Sequence, residues 1–237
     1  MCGFVGKFGL PDNLIEESGK VILHRGPDMQ NFTTGTDWSV AFNRLSILDL
    51  SKEGMQPFKY DNVKVFMNGE IYNYVELKEK HNSEFKSKTK CDVEIIPFLY
   101  RKYGMNFLNQ LNGMFSMVII DDKLNKKYLI KDRYGKKPLY YCKKNQDFFF
   151  SSELKALKFL INPSINKENL LINLISNYII PPLTPYNEVF SLLPGHYLEY
   201  SNKNFKEINW YTPQIKEKKF NINEIKKDFE KLIDQSI

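Results

Sequence analysis

The second residue of the chain is a cysteine, and it leads through Gly3 into Phe4-Val5-Gly6-Lys7-Phe8-Gly9, a strand-like run in which small and apolar residues alternate. An initiator Met is readily excised before a side chain as small as Cys. The mature chain is then expected to start with a thiol beside a free α-amine. A thiolate is the attacking form of cysteine, and an amine titrating near pH ~8 can take its proton directly or through a water. A fold built on this start must begin at its reactive group and run from it directly into a strand, and Gly3 allows close packing where the chain leaves. Taken alone, the tripeptide is more simply a small second residue, because one cysteine carries little information.

Composition narrows the field. The chain has 237 residues, 42% hydrophobic and 14% aromatic, enough for one sizeable core. No apolar run approaches the ~18 residues that a membrane span needs, and the start lacks the basic and apolar regions of a secretory signal. A cytoplasmic protein without membrane association is expected. Three cysteines (Cys2, Cys91, Cys142) and three histidines (His24, His81, His196) are too few and too scattered for a disulfide framework or a zinc site, so no metal is expected. The net charge of +6 is spread as Lys-Glu mixtures such as Lys78-Glu79-Lys80 and Lys216-Glu217-Lys218-Lys219, which read as solvated faces, not a nucleic-acid stripe. Lys123 to Lys127 reads as a hairpin turn.

In chain order, a weakly amphipathic helix with Ile15, Val21, Ile22 and Leu23 on one side ends at His24-Arg25-Gly26-Pro27-Asp28. His24 and Arg25 read there as turn and rim residues. Strands follow at Phe32 to Thr36 and Trp38 to Leu45. Arg44, at the end of a buried strand, must find partners for five donors; Asp49 is the plainer partner and a substrate carboxylate in a bidentate fork the functional one. Val63 to Met67 is a strand running into Asn68-Gly69-Glu70-Ile71-Tyr72-Asn73. Asn-Gly is a strong turn signal, and Asn73 could cap a helix with Glu76 three residues on. That arrangement sets the Asn68 amide and the Gly69 N–H at an exposed corner as two convergent donors, suited to an oxyanion hole. Asp92 reads as a helix N-cap before Ile96, Leu99, Tyr100 and Tyr103, a pattern closed by Gly104, with Pro97 near the limit a helix start tolerates. Cys91 reads as a small buried residue. Gly113 to Ile120, Lys127 to Lys131, Leu139 to Cys142 and Phe148 to Ser151 are strands, and Ser152 to Leu157 and Asn166 to Ser176 helices. A further turn and strand occupy Ser191 to Leu198, and Trp210-Tyr211 ends the last strand of the domain. Strands with helices after them and hairpins between argue an α+β layered domain, not a doubly wound parallel sheet. From Asn221, Ile222, Ile225, Phe229, Leu232 and Ile233 form an apolar stripe on a helix to the final residue, a stripe suited to docking on a following domain or partner.

Together these motifs resemble the glutaminase domain of glutamine-dependent asparagine synthetase. The match is carried by Cys2-Gly3, His24 to Asp28, Arg44-Leu45-Ser46-Ile47-Leu48-Asp49, Asn68 to Asn73, and Asp92 with Glu94. Leu111 to Phe115, Asp132-Arg133-Tyr134-Gly135 with Lys137 to Tyr141, Ser152 to Leu157 and Leu193-Pro194-Gly195-His196 extend it over residues 2 to 211 in the family's order. The resemblance implies a class II glutamine amidotransferase of the N-terminal-nucleophile hydrolase fold, a four-layer αββα sandwich of two antiparallel sheets between helical layers. It implies that Cys2 attacks the side-chain amide of L-glutamine with its own α-amine as base, and that Asn68 and Gly69 hold the oxyanion. Arg44 is then the α-carboxylate site and Asp92 the α-ammonium site, with the backbone around Ile47, Leu48 and Glu70 completing the pocket. Water would hydrolyse the γ-glutamyl thioester, and the ammonia would serve asparagine synthesis.

The family's larger domain activates aspartate with ATP, and its Ser-Gly-Gly phosphate loop has no counterpart here. No cofactor is therefore expected within this chain; ATP and Mg are implied only for a missing synthetase domain or partner. Residues 212 to 237 read as a linker and the first helix of that domain, and the resemblance is compatible with a homodimer. Two alternatives stay open: a stand-alone glutaminase subunit feeding a different amidotransferase in trans, such as one acting on surface sugars, and a catalytically silent regulatory module.

Overall fold

The computed structural model describes residues 2–215 and 221–234. Expectations concerning Met1, the Lys-Glu mixture at 216–219 and the last turn of the C-terminal helix lie outside them. Strands β1 (Gly3–Phe8), β2 (Met29–Thr34), β3 (Trp38–Arg44), β4 (Phe58–Tyr60), β5 (Val63–Ile71) and β6 (Gly113–Asp121) come first. They are followed by β7 (Lys126–Lys131), β8 (Tyr140–Lys144), β9 (Asp147–Ser151), β10 (Phe190–Ser191), β11 (His196–Ser201) and β12 (Asn204–Asn209). The α-helices are α1 (Leu14–Val21), α2 (Tyr74–Lys80), α3 (Ile96–Tyr103), α4 (Leu154–Ile161), α5 (Lys167–Ser176) and α6 (Ile222–Asp234). One sheet runs β10-β8-β9-β1-β3-β2 and the other β12-β11-β7-β6-β5-β4. All the pairings are antiparallel.

Alternation along the strands builds the layers. In β1, Phe4 and Phe8 face the other sheet and Val5 faces the helices; in β5, Phe66 faces the first sheet while Val65, Met67 and Ile71 face the second helical layer. The gap between the sheets is filled with aromatic rings, among them the Phe4–Phe150, Phe42–Phe66 and Trp38–Phe66 pairs, with centroids 6.2, 6.1 and 6.3 Å apart. α1 and α4 cover the outer face of the first sheet through Ile15, Ile22, Ala156, Leu157 and Ile161. α3 and the turn after it cover the outer face of the second through Ile96, Leu99, Phe107 and Leu108. Burial on both faces explains why all six residues of β1 and all seven of β3 are buried. The α+β, four-layer αββα expectation describes this architecture.

Several local expectations change. β5 runs on through Asn68 and Gly69 to Ile71, so Asn-Gly is not a turn; the chain turns at Tyr72-Asn73 instead. A ladder partner at every position from Val63↔Asp121 to Ile71↔Gly113 overrides the local turn preference. Asn73 makes no side-chain cap to α2; its amide bridges Gln110 O and Asn112 N, each at 2.9 Å. Val93–Ile95 forms a 3-10 turn, and α3 begins at Ile96, which moves Pro97 to the tolerated first turn. On α1, Ile15 and Ile22 are buried but Leu23 is exposed, and Ser18 and Gly19 complete the buried side. The short strands β4 and β10 carry too few residues to show a period.

Asp132 is the main organiser of the loop after β7. Its carboxylate accepts from the backbone N–H groups of Phe115, Tyr134, Lys136 and Lys137 at 2.9–3.2 Å, and its carbonyl accepts from Gly135 and Gly195. The Asp132 side chain itself is 1% exposed, so these bonds are made inside the protein. Asp132→Ala strands four donors and should lower stability by about 3 kcal/mol or more, read as the shift in a denaturant unfolding midpoint.

Candidate active site

One end of the gap between the sheets opens into a cleft of about 650 Å³, and all eight residues singled out in the sequence line it: Cys2, Arg44, Ile47, Leu48, Asn68, Gly69, Glu70 and Asp92. Strand parity explains much of this. Cys2 lies on the inter-sheet side with Phe4, Arg44 with Trp38, Val40 and Phe42, and Asn68 and Glu70 with Phe66. The pairing Gly3↔Asn43 brings the start of β1 beside the end of β3, where Cys2 Sγ lies 3.6 Å from Leu45 O and accepts from Leu45 N at 3.4 Å.

The main chain of Cys2 is held from two directions. Arg25 Nε donates to Cys2 O at 3.0 Å, while Arg25 Nη1 pairs with Glu153 at 3.1 Å. With its amide oriented to satisfy both neighbours, Asn68 donates Nδ2 to Cys2 O at 2.9 Å and accepts from Arg25 Nη2 at 3.2 Å. Arg25 is thus an anchor of the Cys2 main chain and not a rim residue. Only glycine at position 3 admits it, because a Cβ there would sit 2.8 Å from Arg25 Cδ. His24 does stay exposed, on Glu153 at 2.9 Å.

Gly69 leaves a backbone donor at the cleft. Its partner Phe115 directs both its N–H and its C=O to Asp132, so Gly69↔Phe115 is a pair without mutual hydrogen bonds and the polar groups of Gly69 point away from β6. On that outer edge Met67 is taken by Gln56 and Ile71 N by Asp92, while β4 reaches only as far as Val65. The N–H of Gly69 therefore faces the cleft between them. A side chain at Gly69 would put Cβ 2.1 Å from Met114 O, at a φ of +155°. Asn68 and Gly69 stand on a strand within the sheet and not at an exposed corner.

Arg44 is 3% exposed and donates to the carbonyls of Asp49 and Ser51 and to Met29 Sδ. It does not pair with the Asp49 carboxylate, which instead accepts from Ser51 N, Ser51 Oγ and Lys90 N and is held down at about 2 by those bonds. Among the described residues no carboxylate lies within salt-bridge distance of Arg44. A buried cation solvated by neutral carbonyls favours an incoming anion. Across the cleft lining, Asp92 is 6% exposed and accepts from Ile71 N at 2.8 Å; burial pushes its carboxyl up to about 6, against the pull of backbone N–H groups. Glu94 has a different task. It pairs with Lys78 at 3.0 Å and gathers Ser87, Lys88 and Thr89 around its carboxylate, shaping the loop that meets Asp49.

Burial also raises the Cys2 thiol, with the Leu45 N–H and the Arg44 charge acting the other way. Cys91 lines the same cleft, buried, with its thiol raised to about 11 by burial. Two further residues line the cleft: Lys137, which stood in a motif without a role, and Gln56, which stood in none. Burial lowers the Lys137 amine. Gln56 gave no signal beyond its proximity to motif residues, since it lies in no spacing that chemistry demands. No cluster of metal-ligating side chains occurs among the described residues, and none of their helices is long and apolar enough to cross a membrane.

A family model described as a glutamine amidotransferase domain matches residues 1–211. The chain belongs to that family. Asparagine synthetase [glutamine-hydrolyzing] 2 of Bacillus subtilis is 39% identical over 168 residues, 66% of this chain and 22% of that protein. A putative asparagine synthetase [glutamine-hydrolyzing] 2 of Methanocaldococcus jannaschii is 35% identical over 224 residues, 81% of this chain and 42% of that one. The chain therefore spans less than half the length of either relative. Among solved structures, a glutamine phosphoribosylpyrophosphate amidotransferase from B. subtilis complexed with ADP and GMP superposes with a TM-score of 0.67 at 16% identity, over 90% of this chain and 50% of that one, a likeness of fold. As a class II glutamine amidotransferase domain the chain is an enzyme of that class, and its two antiparallel sheets with outer helices are the fold of the matched structure.

Asp92 links the site to stability. Its folded-state carboxyl titrates near 6, above the ordinary 3.8, so the empty protein is stabilised by the protonated form, an effect complete below pH ~4 and lost as pH rises through 6. Asp92→Asn, which keeps an acceptor for Ile71 N, should raise stability at pH 8 by on the order of 2 kcal/mol and make little difference at pH 4. Thermal melts of the ligand-free protein across that range test the sign.

Proposed function

We propose that this domain hydrolyses the side-chain amide of L-glutamine through a thioester on Cys2 and passes the ammonia to a synthetase that makes asparagine from aspartate. The observation that carries the reading is one cleft holding a thiol, a buried cation without a carboxylate partner and a buried carboxylate, beside a strand-edge N–H with no strand to pair it. A zwitterionic amino acid needs one fixed anion and one fixed cation to orient it, and the amide at its far end must reach the nucleophile.

With Met1 removed, the α-amine of Cys2 takes the thiol proton, and sulfur attacks the γ-amide carbon. A thiol raised by burial needs such a base beside it. The carbonyl oxygen becomes an oxyanion within reach of Gly69 N–H and of Asn68 Nδ2, whose second hydrogen is left over after the bond to Cys2 O. The protonated amine returns its proton to the leaving nitrogen, ammonia departs and the γ-glutamyl thioester remains. Water, deprotonated by the same amine, then releases glutamate and restores the thiol. Arg44 receives the α-carboxylate, Asp92 the α-ammonium, and the main chain at Ile47, Leu48 and Glu70 walls the pocket.

On this reading residues 2–211 are the glutaminase unit, and 212–237 are the linker and first helix of the synthetase. The exposed apolar stripe of α6, with Ile222, Phe229 and Leu232 at 60–81% exposure, supports docking there. Similarity to two glutamine-hydrolysing asparagine synthetases favours aspartate as the acceptor over a different acceptor served in trans.

Glutaminase assays test the pocket. L-Glutamine should be hydrolysed, and analogues lacking either the α-amine or the α-carboxylate should lose about 10²-fold or more in kcat/KM. Because only ionised Asp92 meets an ammonium, KM should rise as pH falls through about 6 and approach tenfold per unit below it. A KM flat from pH 5 to 8, or equal turnover of the deaminated analogue, contradicts the assignment.

A further inference from the structure

The outer edge of β5 beyond Val65 has no neighbouring strand, yet at the buried Met67 and Ile71 its polar groups must be satisfied. At Met67 the partner is a single side chain. Gln56 Oε1 accepts from Met67 N at 2.5 Å and Gln56 Nε2 donates to Met67 O at 3.1 Å. This is the two-way exchange a residue of an adjacent antiparallel strand makes in a hydrogen-bonded pair, here supplied by one amide. Two residues on, Gly69 faces the cleft; two further, Ile71 N is taken by Asp92. The edge is a ladder of three rungs, filled at both ends by side chains and left open in the middle.

Gln56 is itself firmly placed. It is 5% exposed and lines the cleft, and its main-chain carbonyl accepts from Asn31 Nδ2 of β2 at 2.9 Å, which ties the clamp to the other sheet. Its side chain stands on the strand immediately before Asn68, whose amide holds Cys2 O. An aliphatic side chain of the same volume could fill the space but would leave Met67 N and O unpaired, and the strand edge could relieve them only by shifting or admitting water.

We propose that Gln56 is a positioning residue for the oxyanion site: its amide stands in for the missing strand at Met67 and so fixes where Asn68 Nδ2 and Gly69 N–H point. It acts through β5. The proposal rests on the glutaminase reading. It separates from a merely structural role because the oxyanion donors matter to a tetrahedral adduct and little to a bound product, while the hydrogen bonds of Arg44 and Asp92 go to groups other than Gln56 and Met67.

The test compares two ligands on the mature wild-type chain, Gln56→Met and Gln56→Ala. L-Glutamate γ-semialdehyde adds the Cys2 thiol across its carbonyl: a C–S bond forms, the carbonyl π pair goes to oxygen, and the thiol proton is taken up by the adduct oxygen or the α-amine. L-Glutamate binds without any bond forming. Both variants should lose about tenfold or more in affinity for the aldehyde, and a like factor in kcat, while the Kd of L-glutamate and the KM of glutamine stay within about twofold. Parallel losses for both ligands, no loss for either, or failure of both variants to fold would overturn the proposal. A wild-type chain that binds L-glutamate but forms no aldehyde adduct overturns the glutaminase reading itself, an outcome visible before any variant is made.

Discussion

A strand edge buried in a protein must have its hydrogen bonds made by something, and on its outer edge, away from β6, β5 has another strand beside it for only three of its nine residues. What happens along the rest of that edge shapes the cleft. Side chains from Gln56 and Asp92 take up the N–H groups on either side of Gly69, and the glycine between them keeps its donor for whatever enters. The same strand turns Asn68 inward to the carbonyl of Cys2. A longer β4 would have paired Gly69 and closed the site; a side chain at Gly69 would have collided with β6.

Cys2 comes from the other sheet, so the cleft exists only because the two sheets are packed in one register. The aromatic layer between them sets that register, and Arg25 and Asn68 then fasten Cys2, the residue before β1, across the gap. Polar cross-links do the rest of the shaping. Asp132 holds the loop that carries Lys137, Asp49 ties the segment after Arg44 to Lys90, and Glu94 gathers the neighbouring turn. Each is a buried or half-buried carboxylate accepting several N–H groups, which explains why so many acidic residues stand in motifs without touching the central thiol.

Much of this was legible in the sequence, and the exceptions have physical causes. Alternation located the principal strands, and motifs in register identified eight of the residues that line the cleft. Asn68-Gly69 misled because turn propensity is a local preference, whereas nine ladder pairs with β6 are a tertiary fact. Arg25 read as a rim residue because its partner, Cys2 O, lies 23 residues away on a strand whose glycine makes room for it. Asp49 read as the partner of Arg44 because opposite charges attract in one dimension; in three, the Asp49 carboxylate turns to Ser51 and Lys90 and offers Arg44 only its carbonyl. Gln56 could not be read at all, since a glutamine that completes a sheet edge has no signature in spacing or period.

The central claim is that Cys2, as the first residue of the mature chain, is a nucleophile directed at the side chain of a bound glutamine. Intact mass before and after exposure to 6-diazo-5-oxo-L-norleucine tests it most directly, with Cys2→Ala alongside and L-glutamine as competitor. The account predicts a mass lacking Met1 that gains a single adduct, slowed by L-glutamine and absent from Cys2→Ala. A chain that loses Met1 yet gains no adduct, or an adduct that persists in Cys2→Ala, would contradict it.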